Sequence, residues 1–219
     1  MIRKKLSELP VEEVANALTH GFGLVLSIIG FAILLILAAM RGDPWLITGC
    51  VVYGMSLIIL YTASTVYHGT TSPEMKKVLQ LVDHCCIYIL IAGTYTPFAL
   101  VLSGGNLGRG LLAGIWMLAF SGIAFKIIFG NRFPILTVTS YVMMGWIGIV
   151  AVQPLFLALG AVPVALAVAG GLAYTMGVVF FPWKSIRHHH AIFHVFVMAG
   201  SILHYIAVAF FVVPYAANL

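Results

Sequence analysis

The stretch Ala191–Val213 reads AIFHVFVMAGSILHYIAVAFFVV, and it determines the fold class. It contains no Asp, Glu, Lys or Arg, and it exceeds the length of about 20 residues that a helix needs to cross a bilayer. Six similar apolar runs precede it. Of the 219 residues, 62% are hydrophobic and 8% are charged, which excludes a soluble domain of this size. The sequence therefore predicts an all-α integral membrane protein, folded as a seven-transmembrane helix bundle.

Turn-forming residues separate the seven apolar runs, whose limits can be placed to within a few residues. The chain shows no internal repeat and no low-complexity linker. We therefore expect a single domain over residues 1–219, in which residues 1–15 form a short N-terminal segment on the cytoplasmic side. The predicted spans are residues 16–40, 45–68, 78–102, 108–129, 134–154, 161–181 and 189–213.

Basic residues flank the predicted spans unevenly. One side of the membrane receives only Arg41 and Arg109, whereas the side of the N-terminus receives a larger set: Arg3, Lys4, Lys5, Lys76, Lys77, Lys126, Arg132, Lys184 and Arg187. Because Lys and Arg accumulate in cytoplasmic loops, this bias predicts a cytoplasmic N-terminus and a C-terminus outside. The basic residues are scattered rather than gathered in a stripe, so the net charge of +5 does not indicate nucleic-acid binding.

Two histidines four residues apart, His190 and His194, stand at the start of the last apolar run. On a helix this spacing puts both imidazoles on one face, where they can offer two nitrogens to one metal ion. Ionisable side chains within a membrane span are costly, and they indicate a functional site. The pair lacks the glutamate of the H-E-x-x-H motif, so the sequence does not indicate a soluble metalloprotease.

Further polar residues occur at the same predicted depth. Ser64 and His68 share a face at the end of the second run, and Asp83, the only carboxylate within the predicted spans, opens the third. Three neutral imidazoles suit zinc, with a water molecule in the fourth position of a catalytic site. We therefore predict that His68, His190 and His194 bind Zn2+, that Asp83 is a general base and acid, and that Ser64 forms a hydrogen bond beside it.

The other histidines have less specific interpretations. We expect His188 and His189 to lie at the sixth loop and face water. His20 is expected to form a hydrogen bond in helix packing, and His84 to face away from the metal site in packing or headgroup contact. For His204, in the middle of the seventh span, a hydrogen bond between helices and a place in a polar cavity remain equally open.

At these residues the chain resembles the hemolysin III family, a branch of the progestin and adipoQ receptor superfamily. It looks closest to the members of the bacterial inner membrane, so we expect a multi-pass protein of that membrane. The matching segments run in order through nearly the whole chain: Asn16–Gly21, Ser64–His68, Asp83–Tyr88, Ala92–Phe98, His190–His194 and His204–Tyr205.

The resemblance implies seven helices, a cytoplasmic N-terminus and a zinc ion within the membrane near its cytoplasmic face. In the adiponectin receptors of the superfamily, three histidines bind zinc. Their positions correspond here to His68, His190 and His194, with Asp83 and Ser64 around the bound water. Those receptors and the related alkaline ceramidases imply hydrolysis of an amide bond in ceramide-like lipids. The bacterial members carry the label hemolysin and are linked to membrane homeostasis.

Three functions are compatible with these features. The first is a zinc-dependent intramembrane hydrolase that acts on an amide or ester bond of a membrane lipid, whose acyl chain lies between the helices. The second is a non-enzymatic sensor or regulator of the membrane, in which zinc clamps three helices; structural zinc sites, however, usually have four protein ligands. The third is a hemolysin-like pore, which would need a polar path through all depths, whereas the predicted outer halves of the spans are nearly all apolar.

Overall fold

A computed structural model of the chain describes residues 9–215. Within this range all regular elements are helical, and seven helices are long and apolar enough to cross a membrane. They are α1 (Val11–Ala39), α2 (Pro44–Gly69), α3 (Pro73–Val101), α4 (Asn106–Phe129), α5 (Pro134–Leu159), α6 (Ala161–Phe180) and α7 (His189–Tyr215). The predicted all-α class and the seven spans are confirmed. The orientation stays a prediction, and Arg3, Lys4 and Lys5 lie outside the described residues.

The helices α2 and α3 begin at residues that suit a helix N-terminus. The Asp43 carboxylate accepts hydrogen bonds from the backbone N–H groups of Trp45 (2.7 Å) and Leu46 (3.3 Å), and Pro44 takes the first helical position. At the start of α3, the Ser72 side chain likewise caps the helix by accepting a hydrogen bond from a backbone N–H, and Pro73 takes the first helical position. This cap explains why α3 begins at Pro73, five residues before the limit that hydropathy predicted.

The helix that contains the first predicted span begins five residues before the predicted start of that span at residue 16. The helix begins at Val11, with Glu12 and Glu13 in its first turn, where carboxylates interact favourably with the helix dipole. Residues 11–15, which we assigned to a separate N-terminal segment, therefore belong to α1. Hydropathy marks the lipid-embedded part of a helix, whereas the helix itself continues into polar residues.

Two spans depart from regular α-helical geometry. A 3-10 stretch, Ile147–Ala151, interrupts α5, and a π-helical turn, Val208–Val212, lies near the end of α7. The hydroxyl of Tyr95 on α3 accepts a hydrogen bond from the N–H of Gly148 (2.8 Å) and donates one to the carbonyl of Gly145 (2.6 Å). A neighbouring helix thus satisfies the backbone groups that the 3-10 stretch displaces.

Hydrogen bonds to Ser201 hold the middle of the bundle together. Tyr61 donates a hydrogen bond to the Ser201 hydroxyl (2.8 Å), and Tyr174 shares a second with it (2.8 Å). Tyr53 donates to the Ser201 carbonyl (3.3 Å). These contacts fix α2 and α6 against α7 about two turns beyond His194, and so they position the first turns of α7.

Candidate metal centre

Three histidines meet at the end of the bundle where α1, α3 and α7 begin and α2 ends. One ring nitrogen from each of His68, His190 and His194 lies within 4.8 Å of the other two. The ring centroids are 4.6 to 5.0 Å apart. His68 and His194 are fully buried and His190 is half-buried. The three predicted ligands therefore form one group, called the histidine triad below, which could hold a metal ion.

The hydrogen bonds of His68 leave one nitrogen for a metal. Its Nδ1 lies 2.8 Å from Oε2 of Glu13, and because a carboxylate accepts, Nδ1 carries the proton. Its Nε2 is buried and has no hydrogen-bond partner among residues 9–215. A metal-binding histidine commonly donates its other N–H to a carboxylate, which fixes the tautomer and the ring orientation. His68 thus fits a metal ligand through Nε2.

His194 has the same tautomer for a similar reason. Its Nδ1 lies 3.3 Å from the carbonyl oxygen of Asn16, which can only accept a hydrogen bond. The hydroxyl of Thr19 lies 3.1 Å from the same nitrogen and can donate to the carbonyls of Ala15 and Asn16 at 2.9 Å. Nδ1 of His194 is therefore the donor, and Nε2 remains as the ligand atom.

Glu13 was not predicted from the sequence to belong to the site. Its Oε2 accepts the hydrogen bond from His68 and also pairs with Nζ of Lys76 at 2.9 Å. Asp83 is the only carboxylate within the predicted spans, and Glu13, which lies three residues before the first of them, adds a second carboxylate to the site. The signal was present in the sequence: Glu13, Asn16 and His20 fall on one face of a helix. It was missed because the apolar run begins only after Glu13.

Asp83 and Ser64 lie beside the triad on α3 and α2. Both side chains are buried. The Asp83 carboxylate is near enough to interact with the Ser64 hydroxyl and with His68, although Ser64 Oγ completes no hydrogen bond of normal geometry within the described residues. A buried hydroxyl without a partner is available to an incoming ligand. The structure thus places both predicted catalytic residues next to the histidines.

The comparison with known families establishes the relationship of the chain. A family model described as Haemolysin-III related matches residues 10–205. This chain belongs to the hemolysin III family. It is 45% identical to the "Hemolysin-3 homolog" of Bacillus subtilis over 202 residues, which are 92% of this chain and 95% of that protein. The predicted resemblance is confirmed, and the chain is a multi-pass bacterial membrane protein.

Further relatives of this hemolysin III chain cover almost the same residues. "Hemolysin-3" of Bacillus cereus is 43% identical over 213 residues, 97% of each chain. The "Monocyte to macrophage differentiation factor" of Homo sapiens is 32% identical over 205 residues, 90% of this chain and 83% of that protein. The family match over residues 10–205 includes His68, His190 and His194, so the triad lies within the part of the chain that the family model covers.

His20 differs from its expected role. Both of its ring nitrogens are buried without a hydrogen-bond partner in the described part of the chain, so the expected packing hydrogen bond is not formed. Its ring stacks on that of His194, with centroids 3.5 Å apart and an interplanar angle of 14°. His20 therefore belongs to the immediate surroundings of the triad in this hemolysin III protein.

The remaining histidines lie outside the triad. His84 lies beside Lys126 and Asn131 and outside the group of converging ligand atoms, although it is near enough to His68 and His190 to interact with both. His188 and His189 lie beside the sixth loop and are half-buried, and the expectation that they face water stays a prediction; the backbone N–H of His188 donates to Glu12 at 3.4 Å. His204 forms the expected hydrogen bond between helices, since Nε2 lies 2.9 Å from the carbonyl of Ala167, and its ring also lines a cavity whose walls are mostly apolar.

Two adjoining cavities extend through the bundle between α3, α5, α6 and α7, with volumes of about 330 and 130 Å³. Their walls are mostly apolar. The larger reaches Leu159 and Pro163 at the end far from the triad, and the smaller reaches Phe193, which is adjacent to His194. The residues that line both are Thr94, Tyr95, Gly145, Trp146, Gly171 and His204. An alkyl chain fits such a path by its shape and by its apolar character.

Proposed function

We propose that this protein is a zinc-dependent intramembrane hydrolase that cleaves an amide or ester bond of a membrane lipid. The observation that carries the proposal is the histidine triad. In both His68 and His194, Nδ1 is hydrogen-bonded to an oxygen acceptor, so Nε2 is the nitrogen that can bind a metal. Neutral imidazoles with this arrangement suit zinc. The charge bias of the loops would put the site at the cytoplasmic leaflet.

The number of ligands favours catalysis. Among the described residues, no fourth His, Cys, Asp or Glu joins the group of converging ligand atoms. Structural zinc sites usually have four protein ligands, whereas catalytic sites have three and an open position. A zinc ion held by His68, His190 and His194 would lower the pKa of a water molecule to about 7 and polarise a carbonyl group.

Asp83 and Ser64 supply the remaining chemistry. Asp83 would take a proton from the attacking water and return it to the leaving amine or alcohol. Ser64, whose hydroxyl lacks a partner among residues 9–215, can donate a hydrogen bond to the carbonyl oxygen as negative charge develops there. The apolar cavities that end at Phe193 would hold the acyl chain, so that its carbonyl lies beside the triad.

The Asp83→Asn variant tests the proposal. Asparagine keeps the shape of the side chain but cannot take up a proton, so the variant should retain zinc and lose at least about 100-fold in turnover. Purified protein is screened against lipid amides and esters, and released fatty acid and bound zinc are measured. Turnover equal to that of the wild type in Asp83→Asn would contradict the assigned role.

A regulator of the membrane with a zinc clamp is the second candidate. The observation that favours it is a chain of contacts between helices. Glu13 of α1 is hydrogen-bonded to His68 of α2, and a ring nitrogen of His68 converges with one of His190 of α7, so a bound ion would lock the helices together. Such a clamp predicts that no lipid is hydrolysed by the wild type, and that zinc removal lowers thermal stability. A hemolysin-like pore has less support because the cavity walls are apolar.

A further inference from the structure

His20 is the polar side chain beside the triad that the proposed chemistry does not yet use. It is 3% exposed, and neither ring nitrogen has a hydrogen-bond partner in the described range. Burying an imidazole without a partner is costly, because its interactions with water are lost and not replaced. Such a buried group points to a ligand that supplies the missing partner.

Two features exclude His20 as a fourth metal ligand. The lone pair of an imidazole nitrogen lies in the ring plane, and the rings of His20 and His194 are stacked almost parallel, at 3.5 Å and 14°. Nearly parallel planes at this separation do not meet within coordination distance, so one ion cannot lie in both. The group of converging ligand atoms accordingly contains His194 but not His20.

The neighbours of His20 do not satisfy it either. Tyr61 contacts the ring edge-to-face at 5.0 Å, but its hydroxyl donates to Ser201 instead. The Thr19 hydroxyl and the backbone carbonyl of Asn16 lie at hydrogen-bond distance from Nδ1 of His194, not from His20. Among residues 9–215, the side-chain oxygen of Asn16 is itself buried without a partner, as is Ser64 Oγ. Several polar atoms around the triad therefore lack partners together, which is the pattern of a site that binds a polar group.

We propose that His20 donates a hydrogen bond to the oxygen that occupies the open position of the triad, namely the carbonyl oxygen of the substrate or the water that replaces it. His20 lies near enough to His68 and His190 to interact with both, and it stacks on His194. It thus contacts His194 directly and lies in the surroundings of the other two members of the triad. The inference rests on the proposed function and adds to it: His20 is a catalytic residue that stabilises charge on the carbonyl oxygen beside Ser64.

The test uses three substitutions of His20 in the purified full-length protein loaded with Co2+. His20→Phe keeps an aromatic ring on His194 and removes both nitrogens, His20→Gln restores an N–H donor, and His20→Leu restores neither. Cobalt content and the visible absorption spectrum report on the ligands of the metal. Titration with acetohydroxamate, which binds metal through a carbonyl oxygen, reports on the open position.

His20→Phe should bind cobalt with the stoichiometry and spectrum of the wild type but bind acetohydroxamate roughly tenfold or more weakly, the effect of losing one hydrogen bond to a charged oxygen. His20→Gln should recover part of this affinity. If His20→Phe does not fold, the difference between His20→Gln and His20→Leu provides the same comparison.

Two results would overturn the inference. Equal acetohydroxamate affinity in wild type and His20→Phe would make His20 a packing residue, and loss of cobalt from His20→Phe would make it a metal ligand. Failure of the proposed function gives a different pattern. A wild-type protein that binds no cobalt would contradict both proposals. If the protein binds cobalt and His20→Phe binds acetohydroxamate more weakly, but no lipid is hydrolysed, the hydrogen bond from His20 is supported and the hydrolase function is contradicted.

Discussion

Glu13 connects three helices at the triad through a single carboxylate oxygen. Oε2 accepts a hydrogen bond from Nδ1 of His68 on α2 and pairs with Nζ of Lys76 on α3. Lys76 holds the carboxylate in place, and the carboxylate holds the imidazole in the orientation and tautomer that a metal requires. Glu13 thus acts on the metal through His68, as a positioning residue.

Replacing Glu13 should therefore weaken metal binding without removing a ligand. In Glu13→Ala we expect zinc affinity to fall roughly 10–100-fold, which is the usual effect of removing the hydrogen-bond partner of a ligating histidine. Competition with a zinc chelator in detergent measures the affinity. Glu12→Ala, a change to an exposed carboxylate on the same turn, is the matched control and should leave it unaltered. Unchanged affinity in Glu13→Ala would show that His68 needs no such partner.

At the residue scale, the sequence predicted which histidines would meet and missed what surrounds them. The spacing of His190 and His194, together with the alternation of the spans across the membrane, was sufficient to predict that His68 lies at the same depth as the pair. The stacking of His20 on His194 depends on side-chain rotamers, which no pattern in the sequence records. The contact of Glu13 depends on α1 beginning before its apolar run, at Val11.

At the element scale, the interrupted helix α5 shows how the bundle makes room for its cavities. The 3-10 stretch Ile147–Ala151 lies along the larger cavity, and Tyr95 of α3 satisfies the backbone at both Gly145 and Gly148. Sequence patterns predicted this span but not its interruption, because the interruption depends on a hydroxyl from another helix. The helix caps at Asp43 and Ser72 are by contrast local features, because each is formed by residues next to the start of its own helix.

The two glycines of α5 provide a matched test of this contact. A Cβ at Gly148 would come within 2.8–2.9 Å of the Tyr95 ring and hydroxyl, whereas a Cβ at Gly145 would meet no atom within 4 Å. Gly148→Ala should therefore lower the free energy of unfolding by about 1–3 kcal/mol through overpacking. Gly145→Ala should leave it unchanged or raise it by up to about 1 kcal/mol. Thermal unfolding in detergent distinguishes them, and equal stabilities would contradict the role of Tyr95.

At the scale of the whole molecule, the polar site and the apolar path are arranged end to end. The triad lies where α1, α3 and α7 begin, and the cavities continue from Phe193 toward the opposite end at Leu159 and Pro163. This arrangement suits a lipid whose polar bond lies at the triad and whose chain lies within the bundle. Hydropathy predicted the seven spans because it reports burial in lipid, but it carries no information about space left between helices.

The account depends most directly on whether the triad binds zinc, and metal content measures this. Purified wild-type protein should contain close to one zinc ion per chain, and His194→Ala should lose it because one of three ligands is removed. His84→Ala is the matched control, since His84 lies near α4 and outside the triad, and it should retain zinc. Full zinc retention by His194→Ala, or a wild-type protein that takes up no zinc, would contradict the account.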